Sequence, residues 1–131
     1  MKYVSRDEIK KKGIRRVFRS CKYSIQGLMY AYRYEQSMWI HAGASVIAII
    51  LGIICDITLS EWAILFIALG IILGVELINT SIEAAVDLTT LEVNPLAKIA
   101  KDCGSAATFV LSLVAVVIGL FVFGPHIVAM F

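Results

Sequence analysis

The chain has 131 residues, of which 60% are hydrophobic and 17% are charged. This length suits one domain, and the composition excludes a disordered chain and disfavours an ordinary water-soluble domain. The net charge of +2 conceals two opposite regions. Residues 1–35 carry ten Lys and Arg against three acids, whereas residues 36–131 carry two Lys against seven acids. The amino-terminal segment is therefore basic, and the more apolar remainder is acidic.

The basic amino-terminal segment is predicted to form an amphipathic helix on a membrane surface. Ser5 and Glu8 have the spacing of a capping box, which predicts a helix that begins near Arg6. Apolar side chains then recur at steps of three and four residues between the cations. A helix of this kind lies along the lipid headgroups. Gly13 and Gly27 are expected to break this helix or to permit a close approach.

Three stretches without Asp, Glu, Lys or Arg predict three transmembrane helices. A helix needs about 20 residues to cross a bilayer. Residues 36–55 and 103–131 satisfy this requirement directly. Residues 62–75 satisfy it only if the helix continues and carries Glu76 to the edge of the hydrocarbon. The predicted spans are residues 36–55, 60–82 and 103–125.

The positions of Lys and Arg predict the orientation of these spans, because both residues stay on the cytoplasmic side. The basic segment and the loop that holds Lys98 and Lys101 are expected inside. The turn at residues 56–61 lacks both residue types and is expected outside. Ser60 is expected to cap the second membrane helix. Asn94 is expected to cap the third membrane helix, with Pro95 as its first residue.

The positions of the cysteines do not predict a disulfide, and those of the histidines do not predict a metal site. Cys21, Cys55 and Cys103 lie in different segments without a CxxC motif, so no disulfide is expected. His41 and His126 are far apart in the predicted topology, so a two-histidine metal site is not expected. His41 is interpreted as a hydrogen-bonding residue at the membrane interface.

An acidic stripe is predicted on the second membrane helix. Glu76, Asn79, Glu83 and Asp87 are separated by three, four and four residues, which places them on one helix face. Carboxylates in a membrane helix repel one another and need cations or protons nearby. Glu35 adds a fourth carboxylate at a similar predicted depth. Carboxylates suit Mg²⁺ together with substrate phosphates, so the stripe indicates phosphoryl transfer.

Two sequence motifs carry a resemblance to a known family. Residues 76–87 read Glu-Leu-Ile-Asn-Thr-Ser-Ile-Glu-Ala-Ala-Val-Asp, and residues 100–107 read Ala-Lys-Asp-Cys-Gly-Ser-Ala-Ala. From Arg16 to the third span, the chain resembles the small bacterial integral-membrane diacylglycerol kinase and undecaprenol kinase family. The resemblance implies a homotrimer of three-span subunits in the bacterial plasma membrane, with cytoplasmic active sites shared between neighbours. It also implies that ATP and Mg²⁺ phosphorylate the hydroxyl of a membrane lipid.

The same resemblance implies roles for individual residues. Glu76 resembles the general base that takes the lipid hydroxyl proton, with Asn79 and Asp87 in support. Glu35 and Glu83 resemble the carboxylates that hold the metal. The implied ATP contacts are Arg16, Tyr23, Glu35, Glu83, Glu92, Asn94, Lys101 and Asp102. The implied lipid contacts are Ser24, Gly27, Glu76 and Ser105.

The expected lipid is undecaprenol, and diacylglycerol is the alternative. Residues 35–41, 79–88 and 94–98 and the basic segment resemble the undecaprenol kinases of Gram-positive bacteria, whereas residues 104–107 resemble the diacylglycerol kinases of Gram-negative bacteria. Two other classes remain open at this point. One is a small proton-coupled transporter that uses Glu76, and the other is a non-catalytic membrane adaptor or holin-like protein. A nucleic-acid partner is not expected.

Overall fold

The computed structural model describes residues 13–131, which form four α-helices and no strand. The helices are α1 (Ile14–Tyr34), α2 (Gln36–Ile54), α3 (Leu59–Thr89) and α4 (Pro95–Ala129). The prediction of an all-helical fold is confirmed. The predicted capping box of Ser5 and Glu8 lies outside the described residues.

Helices α2, α3 and α4 are each long and apolar enough to cross a membrane. The prediction of three spanning helices is therefore confirmed. Helix α3 continues to Thr89, beyond the predicted span at residues 60–82, so the acidic stripe stands on one uninterrupted helix. Helix α4 begins at Pro95, before the predicted span at residues 103–125, so Lys101 and Asp102 are also helical.

The helix starts follow from local capping chemistry. Thr58 precedes α3 in extended backbone, and its hydroxyl accepts a hydrogen bond from the Glu61 amide at 3.3 Å. The Glu61 carboxylate in turn accepts a bond from the Thr58 amide at 2.7 Å, which completes a capping box. The prediction that Ser60 caps this helix is wrong, because Ser60 already lies inside the first turn. At α4, Pro95 is the first residue as predicted, and Asn94 is the cap.

Helix α1 lies outside the bundle and is exposed along most of its length, with only Ala31 buried. Its apolar side chains, such as Val17 and Phe18, are exposed and available to a membrane surface. Gly13 stands immediately before α1 with a φ of 135°, which favours glycine and fits the predicted break. The corresponding prediction for Gly27 is wrong within one chain, because α1 is continuous there and a Cβ added to Gly27 would meet nothing within 4 Å.

The apolar core lies near the turn between α2 and α3, where α3 and α4 pack along each other. Its buried residues are Cys55, Ile57, Leu65, Val122 and Phe123. Glu61 and His126 also meet here, with His126 Nε2 lying 3.0 Å from Glu61 Oε1. The three cysteines are free, and only Cys55 is buried. The opposite end of the bundle, where α1 meets α2 and α3 meets α4, is here called the charged end.

Candidate active site at the charged end

The acidic stripe of α3 runs from a buried to an exposed environment. Glu76 is only 3% exposed, whereas the Asp87 side chain is 48% exposed. Asn79 and Glu83 lie between these extremes and are half-buried. Because the four residues follow one face, α3 carries carboxylates from the interior of the bundle to its charged end.

Two polar side chains of α2 lie beside the Glu76 carboxylate, and one of them makes a hydrogen bond to it. Ser37 Oγ donates a hydrogen bond to Glu76 Oε1, and His41 Nε2 lies 3.9 Å from Glu76 Oε2. A buried carboxylate needs such partners, because losing its hydration is costly. Sequence reasoning did not assign either residue to the site. The available signal was their spacing, since two polar residues four positions apart on an apolar span share a face at the level of Glu76.

Glu35 connects α1 to α2 and brings a further carboxylate towards the stripe. Burial raises the pKa of Glu35 above its usual 4.5, and the negative charges of Glu83 and Glu76 raise it further. The fold therefore brings Glu35 towards Glu76 and Glu83, which lie 41 and 48 residues further along the sequence. Their mutual repulsion would be relieved by a cation.

Asn79 links the stripe to α4. Its side-chain nitrogen donates a hydrogen bond to Glu83 Oε1 at 3.4 Å. Its side-chain oxygen is buried without a hydrogen-bond partner and lies against Gly104. A Cβ added to Gly104 would overlap this oxygen, so the glycine is required for the approach of Asn79. Sequence reasoning used Gly104 only as a family marker.

A cavity of about 300 Å³ lies where α3 connects to α4. Lys101 Nζ reaches across to Asp87 Oδ1 at 2.6 Å, and Lys98 pairs with Asp102 one turn away. The charged and amide side chains around this cavity are those of Asp87, Glu92, Asn94, Lys98, Lys101 and Asp102. Four of the predicted ATP contacts are thus assembled here with Asp87.

A second cavity, of about 390 Å³, lies between α1 and α3. It contains the predicted lipid contacts Ser24 and Gly27, which face Leu77 and Thr80 of α3. Ser105 is exposed on α4 and does not line this cavity. Arg16 and Tyr23 are exposed on α1 and do not line the cavity at the connection of α3 to α4. One chain therefore brings together most of the predicted site residues but leaves these three apart.

The residues around Glu35 and Glu83 are suited to Mg²⁺. Within residues 13–131, no three His, Cys, Asp or Glu side chains are arranged to hold a metal ion by themselves. Mg²⁺ is commonly held by one or two carboxylates together with substrate phosphates, so it does not require such a group. Burial and the negative charges of Glu83 and Glu76 raise the pKa of Glu35, and a divalent cation beside these carboxylates would offset that repulsion.

Three spanning helices carry a group of carboxylates and a lysine-lined cavity at one end, an arrangement that suits a small helical membrane phosphotransferase. The family model of prokaryotic diacylglycerol kinases matches residues 22–123. The chain belongs to this family, which confirms the resemblance inferred from the motifs. It is a lipid kinase of bacterial membranes that uses a nucleotide as co-substrate.

Similar proteins carry the names of two lipid kinases. The undecaprenol kinase of Bacillus subtilis (strain 168) is 35% identical over 114 residues, which are 87% of this chain and 93% of that protein. A diacylglycerol kinase of Pseudomonas aeruginosa is 38% identical over 98 residues, 75% of this chain and 80% of that protein. A diacylglycerol kinase of Helicobacter pylori (strain 26695) is 36% identical over 129 residues, 93% of this chain and 92% of that protein.

Proposed function

We propose that the protein transfers the terminal phosphoryl group of ATP to the hydroxyl of undecaprenol in a Mg²⁺-dependent reaction. In this proposal the charged end faces the cytoplasm, in line with the basic character of residues 1–35. The observation that carries the proposal is the buried carboxylate of Glu76, which stands beside Glu35 and Glu83 at the end of three spanning helices.

Glu76 is the proposed general base. Of the stripe residues it lies furthest along α3 from the charged end, so it is the carboxylate nearest to a hydroxyl that enters from within the bilayer. Glu76 accepts the hydroxyl proton while the lipid oxygen forms its bond to phosphorus and the bond between phosphorus and the leaving ADP oxygen breaks. Because this transfer needs little covalent chemistry from the protein, positioning and charge neutralisation supply most of the catalysis.

Glu35 and Glu83 are the proposed metal ligands. When bound, Mg²⁺ neutralises charge on the phosphates. Asn79 orients Glu83 through its hydrogen bond, and this role agrees with the close approach of Asn79 to Gly104.

The cavity between α3 and α4 is the proposed nucleotide site. Lys101 and Asp102 contact the nucleotide, Glu92 and Asn94 lie on its adenine side, and Asp87 holds Lys101 in place. Ser24 and Gly27 line the proposed lipid site between α1 and α3.

A homotrimer completes the proposed site. Arg16, Tyr23 and Ser105 are exposed in one chain, and a neighbouring subunit would bring them to the nucleotide and the lipid. This arrangement accounts for predicted site residues that do not meet within one chain.

Diacylglycerol is the second candidate substrate. The similar undecaprenol kinase from Bacillus subtilis favours undecaprenol, whereas the diacylglycerol kinase from Helicobacter pylori is equally similar over a greater share of this chain. Apolar pockets discriminate between lipid tails by only small differences in binding free energy. Competition between the two lipids is therefore the measurement that decides between them.

The test is phosphate transfer from labelled ATP by the purified protein in mixed micelles that contain Mg²⁺. Undecaprenol and diacylglycerol are offered together at equal mole fraction, and the labelled products are separated. We expect labelled undecaprenyl phosphate to predominate and labelling to stop when EDTA removes Mg²⁺. Predominant labelling of diacylglycerol would establish the second candidate.

The variant Glu76→Gln provides the mechanistic control, and Glu61→Gln is its match on the same helix. Glutamine at position 61 preserves the capping box with Thr58, and this position lies far from the charged end. We expect Glu76→Gln to lose activity and Glu61→Gln to retain it. Full activity of Glu76→Gln would contradict the general-base role. Absence of transfer to either lipid by folded protein would contradict the proposed substrates.

A further inference from the structure

We infer that Ser37 is a positioning residue for the Glu76 carboxylate. The inference rests on the proposed role of Glu76 as the general base. Ser37 Oγ donates a hydrogen bond to Glu76 Oε1, so this oxygen is occupied. Oε2 is left to receive the proton of the lipid hydroxyl.

Few other groups fix the orientation of this carboxylate. Glu76 is 3% exposed, so bulk water does not solvate it. Among the described residues, its side chain has a hydrogen bond only to Ser37. His41 Nε2 lies 3.9 Å from Oε2, beyond hydrogen-bond distance. The terminal torsion of a glutamate side chain has a broad range, so without Ser37 the carboxylate plane would be free to turn.

The start of α2 keeps Ser37 in place. Glu35 has extended backbone between α1 and α2, so α2 begins at Gln36 and Ser37 lies in its first turn. The neighbouring Met38 is completely buried, and its packing holds this turn against the bundle. Ser37 is therefore attached to a rigid element, two residues after the proposed metal ligand Glu35.

The arrangement has a defined kinetic consequence. A general base works only when its accepting oxygen is aligned with the hydroxyl proton in the transition state. Loss of the bond from Ser37 reduces the fraction of molecules with that alignment. It does not remove a contact to ATP or to the lipid. The effect therefore falls on kcat and leaves both KM values unchanged.

The test compares Ser37→Ala, Ser37→Thr and Ser45→Ala in the full-length protein in lipid micelles. Ser45 is the matched control, because its hydroxyl on the same helix bonds to the His41 carbonyl and not to Glu76. We expect Ser37→Ala to lower kcat about tenfold, the effect of one hydrogen bond. Both KM values should stay within about twofold, as expected for an interaction used only in the transition state. Ser37→Thr keeps the hydroxyl and should restore most of kcat, while Ser45→Ala should behave as wild type.

Each other outcome overturns the inference. Wild-type kcat in Ser37→Ala means that Ser37 does not position the base. A raised KM with unchanged kcat makes Ser37 a substrate contact. Equal losses of kcat in the alanine and threonine variants, with lowered thermal stability, indicate a packing role.

Glu76→Gln is assayed in parallel. Its activity distinguishes failure of the positioning role of Ser37 from failure of the general-base role of Glu76. If it is inactive while Ser37→Ala is normal, only this inference fails. If it is active, the general-base role fails as well.

Discussion

Gly104 is a buried residue of α4 that faces Asn79 and Ile82 of α3. The absence of a side chain allows the Asn79 oxygen to lie against the α4 backbone, while the Asn79 nitrogen donates to Glu83. One missing Cβ thus sets the position of an amide, and the amide sets the position of a proposed metal ligand. At the residue scale, the geometry of the proposed metal site therefore depends on the absence of a single carbon atom at position 104.

We expect Gly104→Ala to reduce kinase activity by about tenfold or more, because a hydrogen bond to a charged group contributes about 1.5–3 kcal/mol. The added Cβ would displace Asn79 and break its bond to Glu83. The measurement is the initial rate at varied Mg²⁺, with Gly119→Ala as the matched control. A Cβ at Gly119 would meet only Phe123, at an ordinary 3.9 Å. Equal activity of the two variants would contradict the proposed role of Asn79.

Lys101 connects α4 to Asp87 of α3 at the proposed nucleotide site. Both side chains are partly exposed, so breaking this pair should cost at most about 1 kcal/mol of stability. We expect Lys101→Gln to lose much more activity than stability, because it also loses a nucleotide contact. A double-mutant cycle with Asp87→Asn, read by the KM for ATP and by unfolding in denaturant, measures both effects. If the loss of activity, expressed as a free energy, equals the loss of stability, the pair has a structural role only.

At the scale of elements, the length and the ends of α3 decide where the acids lie. The helix begins at the capping box of Thr58 and Glu61 and continues without a break to Thr89. Its apolar part packs in the core, and its last turns, about four from Glu76 to Thr89, carry the carboxylates to the charged end. A helix that ended at residue 82 would have left Glu83 and Asp87 in a loop.

We expect Thr58→Ala to lower the free energy of unfolding by about 0.5–2 kcal/mol, the usual cost of losing an N-cap. Ser60→Ala should have little effect, because Ser60 lies within the first turn and has no capping role. The measurement is equilibrium unfolding of the purified protein in mixed micelles. The kcat of both variants should stay near the wild-type value, since the cap lies at the end of α3 opposite the site. A larger loss of stability in Ser60→Ala would contradict the observed cap.

At the scale of the whole molecule, a single chain leaves much apolar surface uncovered. Large side chains of α4 such as Phe109, Leu120 and Phe121 are more than 60% exposed. Lipid or neighbouring subunits must cover these faces, because contiguous apolar surface in water is unfavourable. Arg16, Tyr23 and Ser105 are exposed on the same chain, as expected for residues that serve a neighbour's site in the proposed homotrimer.

We expect Arg16→Gln and Glu76→Gln subunits, each inactive alone, to recover activity when they are unfolded together and reassembled. If the two residues come from adjacent subunits, random assembly in a cyclic trimer makes about a quarter of the sites intact. The measurement is the specific activity of the mixture against separately reassembled controls. An inactive mixture of fully assembled oligomers would contradict the shared site.

Three features could be predicted from the amino-acid sequence: the number of spans, the helix that carries the acids and the helix face that they share. These features depend on hydropathy and on the period of the α-helix, which are local properties of the chain. The motifs at Glu76–Asp87 and at Lys101–Asp102 also identified the family, which the comparison confirmed. The cap of α4 at Asn94 followed from residues adjacent in sequence.

Contacts between side chains of different helices could not be predicted in this way, because they depend on how the helices pack. Ser37 donates a hydrogen bond to Glu76, and the Asn79 side chain contacts Gly104. Lys101 forms a salt bridge with Asp87. The residues of each pair are at least 14 positions apart in sequence. The rotation and depth of each helix are set by packing against its neighbours, and helical periodicity does not specify them. The sequence therefore predicted an acidic face, and the packing of α2 and α4 against α3 selected the partners of Glu76 and Asp87.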